Sequence, residues 1–332
     1  MFQFSRLLVW LLALSLLEGC YYMQAASGQW EVLRKREPVS EVINDPDTSP
    51  QLAARLQLLA DARDFSIREL GLPDNDSYRT YADLEREFVV WNVIAAPEFS
   101  LEPRTWCYPV AGCVSYRGYF KRDSALKAAG KLRDDGYDVA VGGVSAYSTL
   151  GKFDDPILNT MMQRDDVELV ALLFHELAHQ VLYVKGDTGF NESFATAVEE
   201  FGVLRWLEYS GRELEYTKYT ASREFREGFM QMVDRTRRDL EHLYARDIGD
   251  DEKRSIKRKR LMSFAEHANG WAKENGRDLS GWLGAQPNNA HLVSTTLYQG
   301  RLPEFRDMLA QCNDDLECFY EMARQRARAE SE

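Results

Sequence analysis

The sequence predicts a helix-dominated α+β fold with a small sheet, and three observations carry that expectation. Long stretches place apolar residues at helical spacing. Residues 105–150 switch to short β-branched and aromatic runs broken by glycines, and from Asp165 to the end the helical pattern returns. With 332 residues, 45% of them hydrophobic and 28% charged, the chain can bury one sizeable core or two smaller ones.

At the N-terminus, Arg6 precedes an apolar run from Leu7 to Leu17 that is broken only by Ser15. Eleven helical residues rise about 16 Å, roughly half a bilayer's hydrocarbon core, so the run suits a secretory signal better than a spanning helix. Leu17-Glu18-Gly19-Cys20 resembles the lipobox of bacterial lipoproteins, although Glu18 departs from the small or apolar residue usual there. That resemblance implies a lipidated Cys20 as the new N-terminus, with Tyr21 after it fitting the outer membrane of a bacterial cell envelope, periplasmic face. A cleaved soluble export signal or an uncleaved anchor are the alternatives. Residues 1–20 are thus read as leader and lipobox, 21–104 as an N-terminal helical subregion, and 105–332 as the catalytic region.

Within 21–104, Gln51–Leu70 reads as an amphipathic helix stopped by Gly71 and Pro73, and residues 80–95 as another ending at Pro97. Ser124 to Asp134 reads as a helix closed by Gly136, and Asp138 to Leu150 as a strand or hairpin. Helices after Asp165 are expected to break near Gly186, Gly211, Gly249, Gly276 to Pro287, and Pro303. The net charge of −12 argues against a nucleic-acid partner. The basic cluster Lys253–Arg260 follows Asp247, Asp250, Asp251 and Glu252, a mixture that reads as a solvated helix face.

Setting Cys20 aside, Cys107, Cys113, Cys312 and Cys318 form two close pairs, and an even number in an exported chain suggests disulfides. Pro109 and Gly112 give one loop turn chemistry, and Asn313-Asp314-Asp315 the other, so the two local pairings are favoured. A four-cysteine zinc site is the rival, but five intervening residues exceed the usual two to four.

The run His175-Glu176-Leu177-Ala178-His179 carries the chemistry. On a helix, two histidines four apart lie on one face and can chelate one Zn²⁺. Asp165 with Glu168 forms a candidate capping box, and Lys185-Gly186 a stop. Glu176 would stand beside the open position, taking a proton from a water whose pKa the metal lowers to about 7, then returning it to the leaving amine. The plainer reading is two core histidines on an apolar helix. Against it, these two are the only closely spaced pair among five histidines.

Catalytic zinc needs a third protein ligand. Asn191 is the expected cap of a following helix bearing Glu192 and Glu199, seven apart and on one face. A tight helical hairpin brings Glu199 level with His179, whereas tilted helices bring Glu192 there, and the residues alone leave both open. The HExxH run followed by Asn191-Glu192-Ser193-Phe194-Ala195 resembles the gluzincin metallopeptidases, notably the aminopeptidase N-like group. That resemblance implies Glu192 as zinc ligand and Glu199 as its support, with a shorter gap after His179 than the group has. Over a longer span the chain resembles a bacterial family of predicted aminopeptidases that are also predicted lipoproteins. The matching runs are Trp106–Cys113, Gly142–Gly151, the HExxH helix and Asn288-Asn289-Ala290.

These resemblances imply a gluzincin-like zinc peptidase with one Zn²⁺ per chain, acting on peptides, with aminopeptidase activity favoured. An envelope zinc endopeptidase and a non-catalytic, peptide-binding lipoprotein are the alternatives. Tyr147-Ser148-Thr149-Leu150-Gly151 is the candidate edge strand that pairs with an extended substrate. Tyr147, Ser148 and Asn289 are the expected substrate contacts. Tyr298 is the expected oxyanion donor, with His291 and Tyr147 as rivals. Asp154, Asp155 and Glu199 could hold a substrate ammonium group.

Overall fold

The computed structural model describes residues 21–108, 112–146, 148–283, 286–299 and 301–331, without the side chains of 280, 296–299, 330 and 331. Cys20 and Tyr147 lie outside the described residues, as does the side chain of Tyr298. The chain is helix-dominated α+β. Residues 21–34 form α1, followed by β1 (Arg36–Pro38), α2 (Val39–Asn44) and α3 (Pro50–Leu70). The expected helix at 51–70 is α3, started by Pro50 and by Ser49, whose hydroxyl accepts from Leu52 N.

Residues 80–95 are not helical. They give β2 (Thr80–Ala82) and β3 (Val90–Pro97), because Val90-Trp91-Asn92-Val93-Ile94 is β-branched and aromatic and is buried on both faces. β3 is the central strand of a sheet ordered β6-β3-β7, between β6 (Arg117–Tyr119) and β7 (Tyr137–Val144), antiparallel to both. Val93, Ala95 and Val139 pack under α4 (Arg122–Asp134) through Ala125, Ala129 and Leu132. Small alanines there let the helix lie close to the sheet. A second sheet, β1-β2-β8, pairs β2 in parallel with β8 (Ile157–Leu158).

The hairpin of β4 (Trp106–Tyr108) and β5 (Gly112–Val114) is cross-linked by Cys107–Cys113, and Cys312–Cys318 forms the other disulfide. Both local pairings are therefore made, which removes the cysteines as metal ligands.

The largest core lies among α3, α5 (Asp166–Val181), α6 (Thr188–Tyr209), α11 (Leu302–Gln311) and α12 (Leu316–Ser331). Phe65 and Phe174 stack with centroids 6.1 Å apart, and Phe194 stacks on Phe319 at 5.6 Å with Phe305 edge-on to both. Each such ring stabilises the fold by about 1.5–3 kcal/mol of burial. Gly202 allows α6 to approach this closely, since a Cβ there would stand 2.7 Å from Leu70 and 2.9 Å from Phe174.

Two long helices, α7 (Glu213–Tyr244) and α8 (Asp250–Glu274), pack around a separate cluster that includes Val233, Leu240, Leu261 and Phe264. The basic cluster on α8 is only partly a solvated face. Lys257 is buried, with Nζ donating to Asp138 Oδ2 at 2.6 Å and to the Glu98 carbonyl at 2.7 Å. Arg254 adds a bidentate pair with Glu98, so this face ties α8 to the ends of β3 and β7. After a short α9 (Ser280–Leu283), α10 (Asn289–Gln299) packs on β3, β7 and α6.

Candidate metal centre and active site

The sequence starts α5 with a closed capping box. Asp165 Oδ1 accepts from Glu168 N at 2.8 Å, while Glu168 Oε2 accepts from Asp165 N at 3.4 Å. Leu169, Val170, Leu173, Phe174 and Leu177 bury one face in the core. His175, Glu176 and His179 then fall on the side that opens to a cavity of about 1160 Å³.

α5 ends at Val181, earlier than the expected stop at Lys185-Gly186, and α6 starts at Thr188, earlier than expected from Asn191. Asp187 is the cap, its Oδ1 accepting from Phe190 N at 2.8 Å. Asn191 instead lies inside the first turn and clamps the connecting loop: Oδ1 accepts from Val184 N at 2.7 Å and Nδ2 donates to Val184 O at 2.8 Å. The disulfide hairpin abuts the same loop. A Cβ on Gly112 would lie 2.9 Å from Gly186 N, so only glycine permits this approach.

The clamped hairpin sets the two glutamates apart. Glu192 faces both imidazoles, with Oε2 3.3 Å from His175 Nε2 and Oε1 3.7 Å from His179 Nε2. Glu199, two turns on, approaches His175 from the other side of its ring, Oε2 lying 3.1 Å from Nδ1. Arg226 of α7 stands 3.7 Å from the second oxygen of Glu199. No sequence signal marks Arg226, because its reach depends on how α7 crosses α6.

The donor set fits a tetrahedral zinc. Ligand atoms at about 2.0–2.1 Å from one ion are about 3.3 Å from each other, and the ligand atoms of His175, His179 and Glu192 all lie within 4.8 Å of one another. Burial pushes the His179 imidazole down to about 4, which keeps it neutral and able to donate a lone pair. Its Nδ1 is buried with no hydrogen-bond partner among the described residues. Burial also opposes charge on His175, but the hydrogen bonds it donates to Glu192 and Glu199 outweigh it and raise that imidazole well above its ordinary value. Partial burial opposes charge on Glu192 too, yet the histidines hold its carboxyl below the usual range.

Glu176 points into the same cavity and is pushed up to about 7, chiefly by burial and further by the charges of Glu192 and Asp155, against the lowering effect of His175. Such a carboxylate can take and return a proton near neutral pH.

The expected edge strand does not form at Ser148–Gly151. Ser148 and Thr149 are loop, and Leu150 and Gly151 turn with φ of +58° and +71°. The cause is Asp155, which is buried and accepts from Thr149 N at 2.8 Å, Thr149 Oγ1 at 2.7 Å and Ser148 Oγ at 3.4 Å. Val144, Ser145, Ala146 and Ser148 do line the cavity, so the strand that reaches the site is β7.

Asn289 has a different part from the one expected. It is fully buried, with Nδ2 donating to the carbonyls of Pro97, Glu98 and Ser100 at 2.9–3.1 Å and Oδ1 accepting from Tyr244 Oη at 2.7 Å. A substrate cannot reach it. His291 lines a separate cavity of about 450 Å³ over the sheet and bonds to Asn288. Tyr298 is on α10.

Tyrosines that line the main cavity and escaped the sequence reading include Tyr183 and Tyr219. Tyr183 is raised by burial and by Glu192; Tyr219 is raised by burial and by Glu199. Among the ammonium candidates, Asp155 is engaged by its own loop, Glu199 by His175 and Arg226, and Asp154 is exposed outside the cavity lining.

A family model described as "Putative aminopeptidase" matches residues 20–332. No curated protein and no solved structure matches the chain.

Proposed function

The chain belongs to this aminopeptidase family, and from that premise we propose that it is a zinc metallopeptidase of gluzincin type acting as an aminopeptidase. The observation that carries the reading is the junction of α5 and α6, where His175, His179 and Glu192 converge beside a buried Glu176. These three residues would hold one zinc ion, with Glu199 orienting His175. Zinc held there would supply Lewis acidity, polarising a peptide carbonyl and acidifying water.

The chain's own groups do the rest. Glu176 receives a proton on its carboxylate and hands it to the departing amine. Glu199 accepts from His175 Nδ1, fixing the tautomer that leaves Nε2 free to ligate, while Arg226 stands 3.7 Å from its other oxygen. Tyr183, beside Glu192 at the cavity wall, offers a hydroxyl to the developing oxyanion, a role for which the sequence pointed to Tyr298. The end of β7 and Ser145–Ala146 offer backbone to an extended peptide, with Ser148 beside them.

The same reading places the protein in a bacterial cell envelope, exported by its leader and anchored through lipid on Cys20. Two disulfides fit an oxidising compartment.

One observation favours an endopeptidase as the second reading. Asp155 and Glu199 are already engaged and Asp154 stands outside, so none of these carboxylates is free to receive a substrate's ammonium group. Digestion of a peptide library containing free and acetylated N-termini, by wild type beside Glu176→Gln, tests both. Chelator-sensitive cleavage of free peptides alone, lost in Glu176→Gln with zinc retained, is the expected result. Cleavage of blocked peptides would make it an endopeptidase. Zinc without cleavage of either set would leave a peptide-binding lipoprotein.

A further inference from the structure

α1 has two unlike faces. Its inner face is pinned to the protein: Tyr21 Oη accepts from Tyr108 Oη at 3.2 Å, and the Arg117 guanidinium stands 3.9 Å over the Tyr21 ring. Gln24 Oε1 accepts from Phe120 N at 3.0 Å, Glu31 pairs with Arg86 at 2.8 Å, and Val32 is buried. The helix is thus a fixed part of the fold.

The outer face is a continuous uncharged surface. Tyr22, Ala26 and Trp30 are four apart and share one row; Met23 and Ser27 form the next, and all five are exposed. Tyr22 is 44%, Met23 74% and Trp30 66% exposed, and residues 21–30 carry no charged side chain. Arg34, the next residue in the Tyr22 row, is exposed and ends the face with a cation. Single exposed apolar residues need no explanation, but three large ones, Tyr22, Met23 and Trp30, on one helical face do. Aromatic rings with a long apolar side chain and a terminal arginine are the composition of a helix lying in a membrane interface.

What covers this face is indicated by the chain just ahead of it. Cys20, which carries the lipid in the envelope reading, is the residue immediately before Tyr21. Whatever holds that end of the chain to lipid holds the start of α1 at the bilayer surface. Tyr21 and Ala25, on the inner face, line the main cavity.

We propose that the outer face of α1, formed by Tyr22, Met23, Ala26, Ser27 and Trp30, docks onto the lipid bilayer surface and holds the cavity beside it. The peptides taken would then be polypeptide segments presented at the membrane rather than peptides free in the surrounding medium. The proposal rests on the envelope reading above, not on the zinc chemistry.

The test places a solvent-sensitive fluorophore on Met23→Cys, and separately on Met262→Cys of α8, in the full-length chain. Each is reconstituted into phosphatidylcholine vesicles with or without brominated acyl chains. The expected result is a blue shift at position 23 on vesicle binding, with emission at least halved by the brominated lipid, and neither change at position 262. A water-like signal at 23 in protein that sediments with the vesicles would overturn the proposal and leave the envelope reading intact. Failure to sediment would overturn both. A concentration-dependent blue shift without vesicles would assign the face to a second copy of the chain, overturning it also.

Discussion

Glu199 Oε2 lies 3.1 Å from His175 Nδ1, while Glu192 Oε2 lies 3.3 Å from Nε2 of the same ring. One imidazole therefore separates the two carboxylates that the sequence left in competition, and their substitutions should behave differently. Glu192→Gln should abolish tight zinc binding. Glu199→Gln should keep a measurable site and weaken it by about 10–100-fold, the range for groups that orient a ligand. Competition titration with a chromophoric chelator reads both; equal losses would remove the distinction.

Proton release should accompany metal loading. Glu192 and Glu199 raise His175 well above its ordinary value, so in metal-stripped protein it carries a proton that zinc must displace. His179, held down to about 4 by burial, has no proton to lose at neutral pH. Zinc affinity should therefore fall as pH falls, starting from above the usual imidazole range, with about one proton released per ion near neutrality. Calorimetry in buffers of different ionisation enthalpy measures that number. In the stripped protein, the stability that His175 contributes is complete below about pH 6.5 and is lost as pH rises through its raised value.

Tyr183→Phe should leave zinc content unchanged and lower kcat by about 10–10³-fold with a smaller change in KM, as expected for a donor used mainly in the transition state. An unaltered kcat would return the role to Tyr298 or Tyr219.

Asn289→Ala should destabilise without touching the metal. The amide satisfies three backbone carbonyls and the Tyr244 hydroxyl in a fully buried position. Its loss should cost on the order of 2–4 kcal/mol, visible as a lower denaturation midpoint with zinc stoichiometry intact.

The contrast between Asn289 and the metal residues shows what the sequence could and could not reveal. Periodicity and capping chemistry were enough for α5, because Asp165 and Glu168 close their box within one turn. The short cysteine separations were enough for both disulfides. Residues 80–95 form strands where a helix is expected, because their apolar spacing suits a helix as well as a strand buried on both faces. α6 starts four residues before the expected position because both Asp187 and Asn191 can cap, and only the contact with Val184 decides between them. Arg226, Tyr183 and the burial of Asn289 depend on contacts between distant segments, on which local pattern is silent.

α6 carries Glu192 on one side and Glu200 on another, and the second is gripped from outside. Arg306 pairs with Glu200 at 2.8 Å, Arg223 approaches it at 3.1 Å, and Arg301 N donates to Ser193 Oγ at 3.1 Å. Two of those three grips come from α11 and the residue just before it, in a stretch followed by α12 and closed by Cys312–Cys318. The C-terminal thirty or so residues thus behave as a remote counterweight on a lever whose short arm is Glu192, the proposed third metal ligand. Proteolytic nicking near residue 300, in a chain that otherwise keeps its circular dichroism, should register first as leakage of zinc.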